Sequence, residues 1–117
     1  MILGDLLAES PTPRYGPWLD RRGSSATFCC STLAVSSGSL SFVVTVQSKN
    51  RAQLDTEATT VVALPTVSAT GEVVAQGAGL KELVRYNYEV SSASDPGNEW
   101  VRFDMLEPMW CENQVAN

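Results

Sequence analysis

Carboxylates are the main acid–base groups this chain offers. Glu82, Glu89, Glu99, Asp104 and Glu107 crowd its last third. Two of them facing one cleft about 5–10 Å apart would suit glycoside hydrolysis. The local pattern argues otherwise, because Glu89 and Asp104 fall on outward strand positions beside Arg85 and Arg102, where cross-strand ion pairs account for them. Asp55 with Glu57, or Asp95 with Asn98, offers oxygen ligands of the kind calcium takes. Neither loop carries the dense Asp/Asn/Gly ladder of a calcium site. The sequence has no histidine, which removes the commonest general base and zinc ligand and leaves the serines without an activator. No GxSxG, phosphate-loop or GxGxxG motif occurs, and Gly77-Ala78-Gly79 is too short to stand for one. Cysteines number three, an odd count that argues against a disulfide framework. Cys29 and Cys30 are neighbours in a strand candidate, so they point to opposite faces and read as small packing groups. Cys111 has no CxxC-like partner. The expectation is a protein that is not an enzyme, with no cofactor and no metal.

The elements around these residues read as strands. LVRYNYEV alternates, with Val84, Tyr86, Tyr88 and Val90 on one side and Arg85, Asn87 and Glu89 on the other. Asp95-Pro96-Gly97-Asn98 supplies turn residues. EWVRFDML then alternates again, Val101, Phe103 and Met105 opposing Trp100, Arg102 and Asp104. The pattern predicts one long β-hairpin over residues 83–106. SSATFCCSTLAV (24–35) is a further strand. In LSFVVTVQS (40–48), Leu40, Phe42, Val44 and Val46 face inward. KNRAQLDT (49–56) reads as a polar connection with a helical turn around Ala52-Gln53-Leu54. TTVVAL (59–64) is a strand stopped by Pro65. Val67–Ala75 is another, with Gly71 as bulge or turn. QGAG (76–79) reads as a flexible loop.

Six to eight short strands between turn signals predict an all-β antiparallel β-sandwich or jelly roll. The chain of 117 residues suits one domain. Val occurs 13 times and Ile once, and Ser and Thr are abundant, as pleated half-exposed surfaces favour. Residues 1–17 read as an extended N-terminal arm with Pro11, Pro13 and Pro17. This arm either closes its own sandwich or reaches onto a neighbouring subunit. Residues 18–113 form the sandwich and 114–117 a polar tail. Net charge is −5 with only two lysines, so no basic stripe for nucleic acid is present. The longest apolar run is far too short to span a bilayer as a helix. MILGDLLAES lacks the positive start of a signal peptide, which predicts a chain made in a cytoplasm.

Aromatic side chains are the best candidates for contact. Tyr15 and Trp18 lie in or beside the arm, Trp100 lies opposite the inward row of its strand, and Trp110 sits between a proline and the polar tail. Several runs then resemble a known family. Trp18-Leu19-Asp20-Arg21-Arg22-Gly23 follows the proline-rich arm. Phe42-Val43-Val44-Thr45-Val46-Gln47-Ser48-Lys49-Asn50 ends the clearest strand. Ala69-Thr70-Gly71, Leu80 to Tyr86, Trp100-Val101-Arg102-Phe103 and Pro108-Met109-Trp110 follow in order. Over residues 14–113 this order resembles the small β-sandwich capsid-decorating, or cement, structural proteins of tailed bacteriophages. The resemblance implies a virion protein, made in the host cytoplasm, that binds the major capsid protein on the outer shell as a homo-oligomer, with no nucleic acid or membrane partner. The alternative is a receptor- or carbohydrate-binding module of a tail fibre or adhesin, with Trp100 and Trp110 as stacking residues.

Overall fold

The computed structural model describes residues 6–8, 14–36, 40–92 and 99–111. Their strands, in chain order, are β1 (Leu6–Ala8), β2 (Arg14–Tyr15), β3 (Leu19–Asp20), β4 (Ser25–Val35), β5 (Leu40–Lys49), β6 (Thr59–Ala63), β7 (Gly71–Ala78), β8 (Leu83–Ser92), β9 (Trp100–Met105) and β10 (Met109–Cys111). A 3₁₀ turn at Asp55–Glu57 sits between β5 and β6. The first sheet runs β7–β4–β9–β1, with β10 continuing the line of β9 along β4. The second runs β6–β5–β8, with β2 and β3 in succession along the far edge of β8. Every pairing is antiparallel, and the molecule is an all-β sandwich.

Period-2 burial explains why these segments are strands. Leu40, Phe42, Val44 and Val46 of β5, Val84, Tyr86, Tyr88 and Val90 of β8, and Val101, Phe103 and Met105 of β9 are all buried. They meet Ala26, Phe28 and Cys30 of β4 in one core. Aromatic rings knit the sheets together: Phe42 lies 4.8 Å from Phe103, Tyr88 5.1 Å from Phe103, and Phe28 meets Tyr86 edge-on at 6.0 Å. Each fully buried large apolar side chain contributes about 1.5–3 kcal/mol relative to exposure.

The expected hairpin does not form. β8 and β9 lie in opposite sheets. Both edges of β8 are taken, one by β5 over ten residue pairs from Leu40↔Ser92 to Lys49↔Leu83, the other by β2 and β3. β9 is held between β4 and β1. Glu89 and Asp104 are therefore on different sheets, and the cross-strand pairs expected between them and the arginines are absent from the register. The turn residues Asp95-Pro96-Gly97-Asn98 lie outside the described residues, as does the 114–117 tail.

Three smaller expectations also shift. The helical turn near Ala52 is a hydrogen-bonded turn, Gln53 N–H to Asn50 O at 2.9 Å, followed by the 3₁₀ turn at Asp55. Val67 makes only an isolated bridge to Phe42, and the strand begins at Gly71. Gln76–Ala78, read as loop, belongs to β7 and pairs with Ser25–Thr27. Gly77 is there for space: a Cβ on it would lie 3.0 Å from Val61 Cγ1 and 3.2 Å from the Phe28 ring.

The N-terminal segment supplies edges to both sheets of its own chain, β1 to the first and β2 and β3 to the second. Two bulges shape the first sheet. Thr32 opposes Phe103 but Ala34 opposes Arg102, so Leu33 is extruded and stands 48% exposed. Cys30 opposes Met105 and Thr27 opposes Met109, four steps against three, so one extra residue lies between β9 and β10. Pro108 occupies that break, as a residue without an N–H for the ladder should. Phe42→Ala should cost about 3–5 kcal/mol in denaturant unfolding. Leu33→Ala should stay within about 0.5 kcal/mol, because the bulge holds Leu33 out of the core.

Candidate functional site

The outward face of the second sheet carries a cluster of charged and aromatic groups. Lys49 ends β5, Gln47 precedes it by one pleat, and Gln47 opposes Arg85 of β8. All three point away from the core. Residues 50–58 fold back over them and bury Lys49 to 7% exposure and Arg85 to 9%. Buried cations need compensation. Lys49 Nζ donates to the Gln53 carbonyl at 2.8 Å and to Asp55 Oδ1 at 2.9 Å. Arg85 Nε donates to Gln47 Oε1 at 2.9 Å, and its Nη1 lies 3.7 Å from Asp55 Oδ2. The remaining faces are aromatic. The Arg85 guanidinium sits 3.9 Å from the Tyr15 ring centre and 4.5 Å from that of Trp18, and Lys49 Nζ sits 5.0 Å from Trp18. Cation–π contacts of this kind contribute about 0.5–2 kcal/mol each.

The covering loop is built to present Asp55. Asn50 N–H donates to Gln53 Oε1 at 2.7 Å, Leu54 N–H to Glu57 Oε1 at 2.6 Å, and Arg51 N–H to Glu82 Oε1 at 2.9 Å. The hydrogen bond from Lys49 holds the Asp55 carboxyl below its ordinary value, with the positive charges of Lys49 and Arg85 acting in the same direction. The Trp18 indole N–H adds a smaller pull in the same direction without forming a full hydrogen bond. Asp55 is thus the counter-ion of two cations, which removes it as a calcium ligand. No group of three or more metal-ligating side chains occurs among the described residues.

The four candidate contact residues part company. Tyr15 is 51% exposed over Arg85, and Trp18 is half-buried beside it. Trp110 is half-buried at the core's edge and lines a cleft of about 260 Å³ together with Trp18. Trp100 stands exposed on the outer face of the first sheet. Trp110 opposes Ala26, whereas Trp100 lies just beyond the Val35↔Val101 pair. Nine to ten residues of strand separate them, about 30 Å, so Trp100 and Trp110 cannot form one platform.

The five late carboxylates do not converge on one another: Asp104 opposes Ser31 on the first sheet, and Glu107 lines the Trp18–Trp110 cleft with Asp20. Glu99 is buried and accepts from Ser36 Oγ at 2.6 Å, Glu82 accepts from the backbone of residue 51, and Glu89 is exposed on the second sheet. Cys29 and Cys30 are buried on opposite faces, and burial pushes the Cys30 thiol up to about 12. Neither thiol is poised for chemistry.

The outer face of the first sheet is the other notable surface. Val74 opposes Cys29, Leu106 donates its N–H to the Cys29 carbonyl, and Met109 opposes Thr27. Val74, Leu106 and Met109 therefore form an exposed row across the sheet, with Leu33 and Trp100 further along it. Sequence inspection missed both the cluster and this row. Arg85 reads as a solvated residue because nothing in the chain shows that residues 50–58 fold onto it.

Asp55 gives a pH prediction. Its folded-state value is depressed, so its contribution to stability is complete above the unfolded value near 4 and is lost as pH falls through the folded value. Denaturant unfolding of the wild type should weaken as pH drops below about 4. Asp55→Asn should be less stable at neutral pH and lose less on acidification. Parallel pH profiles for the two proteins would remove Asp55 from this role.

No family model, no curated protein and no solved structure matches the chain, so any function rests on these surfaces and on the sequence.

Proposed function

We propose that this is a non-enzymatic virion structural protein, a head decoration or cement protein that binds the outer surface of a phage capsid and stabilises the shell. The observation that carries the reading is the exposed apolar row Val74–Leu106–Met109 on the outer face of the first sheet, with Leu33 and Trp100 exposed further along the same face. Apolar groups collected on one face mark an interaction surface more often than scattered ones do. Glu72 and Asp104 both oppose Ser31, so a polar line crosses the face between this row and Leu33 with Trp100, and the contact would combine apolar and charged groups. The resemblance of residues 14–113 to cement proteins names the partner, the major capsid protein.

The mechanism is linkage. A protein that binds only the assembled lattice stabilises it by mass action, about 2.7 kcal/mol per site at a hundredfold excess over Kd. The curved lattice repeats the site many times, so modest contacts sum. Homo-oligomerisation would add avidity by engaging several sites together.

Co-sedimentation of the full chain with purified capsids tests this. Met109→Glu and Leu33→Glu change exposed residues and should leave the fold intact. Each should weaken capsid association roughly tenfold or more if the row is the contact. Binding by both variants at wild-type strength would overturn the assignment of this face, and no binding by the wild type would overturn the function.

A further inference from the structure

We infer that the cleft between Trp18 and Trp110 is a saccharide site that takes one neutral pyranose ring, a hexose or N-acetylhexosamine at the end of a glycan. The two indoles come from different sheets, Trp18 from the segment between β2 and β3, Trp110 from β10. Asp20, Arg22, Glu107 and Pro108 complete the lining. Indole faces pack against the C–H faces of a sugar ring, while carboxylates accept from its hydroxyls and a guanidinium donates to its oxygens. All three kinds of group are present, and Asp20, Arg22 and Glu107 are exposed at the rim. The cleft of about 260 Å³ falls just below the ~300–1,000 Å³ usual for small-molecule pockets, which suits one ring rather than a buried chain of several.

The walls are held before any ligand arrives. Gly23 lets the chain after β3 touch β10: a Cβ there would lie 2.3 Å from the Cys111 carbonyl oxygen. Arg21 anchors the same wall, with Nη1 donating to the Leu80 carbonyl and its N–H to the Glu82 carbonyl at 2.9 Å. Asp20 Oδ1 is fixed by Arg51 Nη2 at 2.5 Å. On the opposite wall, Tyr86 Oη donates to the Leu106 carbonyl at 3.1 Å.

Charge selects neutral ligands. The lining sets two carboxylates, Asp20 and Glu107, against one guanidinium, Arg22, so on balance it disfavours an acidic sugar. Lys49 and Arg85 already lie over the Trp18 ring, which disfavours an added cation. A neutral ring meets neither penalty.

Indole N–H signals in the ¹⁵N spectrum of the full chain test the site. The probes are methyl glycosides of neutral hexoses and N-acetylhexosamines, with a methyl hexuronide for comparison. At least one neutral glycoside should shift the Trp18 and Trp110 signals saturably and leave Trp100 unmoved. The hexuronide should bind more weakly. Glu107→Gln and Arg22→Ala should each weaken binding roughly tenfold, with the rest of the spectrum unchanged. No shift with any glycoside up to its solubility limit, a shift led by Trp100, or tighter binding of the hexuronide would each overturn the proposal.

Discussion

Two cations drawn out of water on the outer face of one sheet organise much of this molecule. Lys49 and Arg85 occupy outward positions that an antiparallel sheet would ordinarily leave solvated. Burying them is costly without partners, and the partners come from three separate stretches of chain. Gln47 is a neighbour on β5. Asp55 and the Gln53 carbonyl arrive on the loop after β5. Tyr15 and Trp18 arrive from the N-terminal segment. The loop and the segment are thereby tied to β8 through one cluster. Short β2 and β3, two residues each, gain little from their own ladders. The cation–aromatic contacts add what two-residue strands lack.

This arrangement divides the surface. The Lys49–Arg85 end of the second sheet's outer face is taken up by internal compensation, its cations met by the rings of Tyr15 and Trp18 and by Asp55 of the loop over residues 50–58. The first sheet's outer face has no such cover among the described residues and presents Val74, Leu106, Met109, Leu33 and Trp100. At one end of the sandwich, placing Trp18 beside β8 also brings Asp20 and Arg22 opposite Glu107 and Trp110. The cation cluster therefore also holds one wall of the cleft, through Trp18.

Strand identity was legible in the residues, and strand partnership was not. The alternation in β5, β8 and β9 reports correctly which side chains are buried. It says nothing of which strand lies next, so two well-patterned segments around a turn looked like a hairpin although they belong to opposite sheets. Gly77 read as a loop residue because glycine's turn signal and its packing role are the same letter. Trp18 and Trp110 were both visible as contact candidates, but their meeting depends on the two sheets closing at one end. Trp100 and Trp110 each read as exposed contact residues from their own surroundings, but β4 runs the length of the sandwich between them and places them at opposite ends. Arg85 could not be recognised because its burial depends on Asp55, thirty positions earlier, and on Tyr15 and Trp18.

Hydroxyl-radical footprinting of the full chain, free and bound to capsids, tests the division of surfaces most directly, since Met, Trp, Tyr and Leu side chains report their own exposure. The account predicts that Met109, Trp100 and Leu33 lose reactivity on binding while Tyr15 and Leu54 keep theirs. Protection of Tyr15 and Leu54 with Met109 unchanged would contradict it, because the second sheet would then be the docking face.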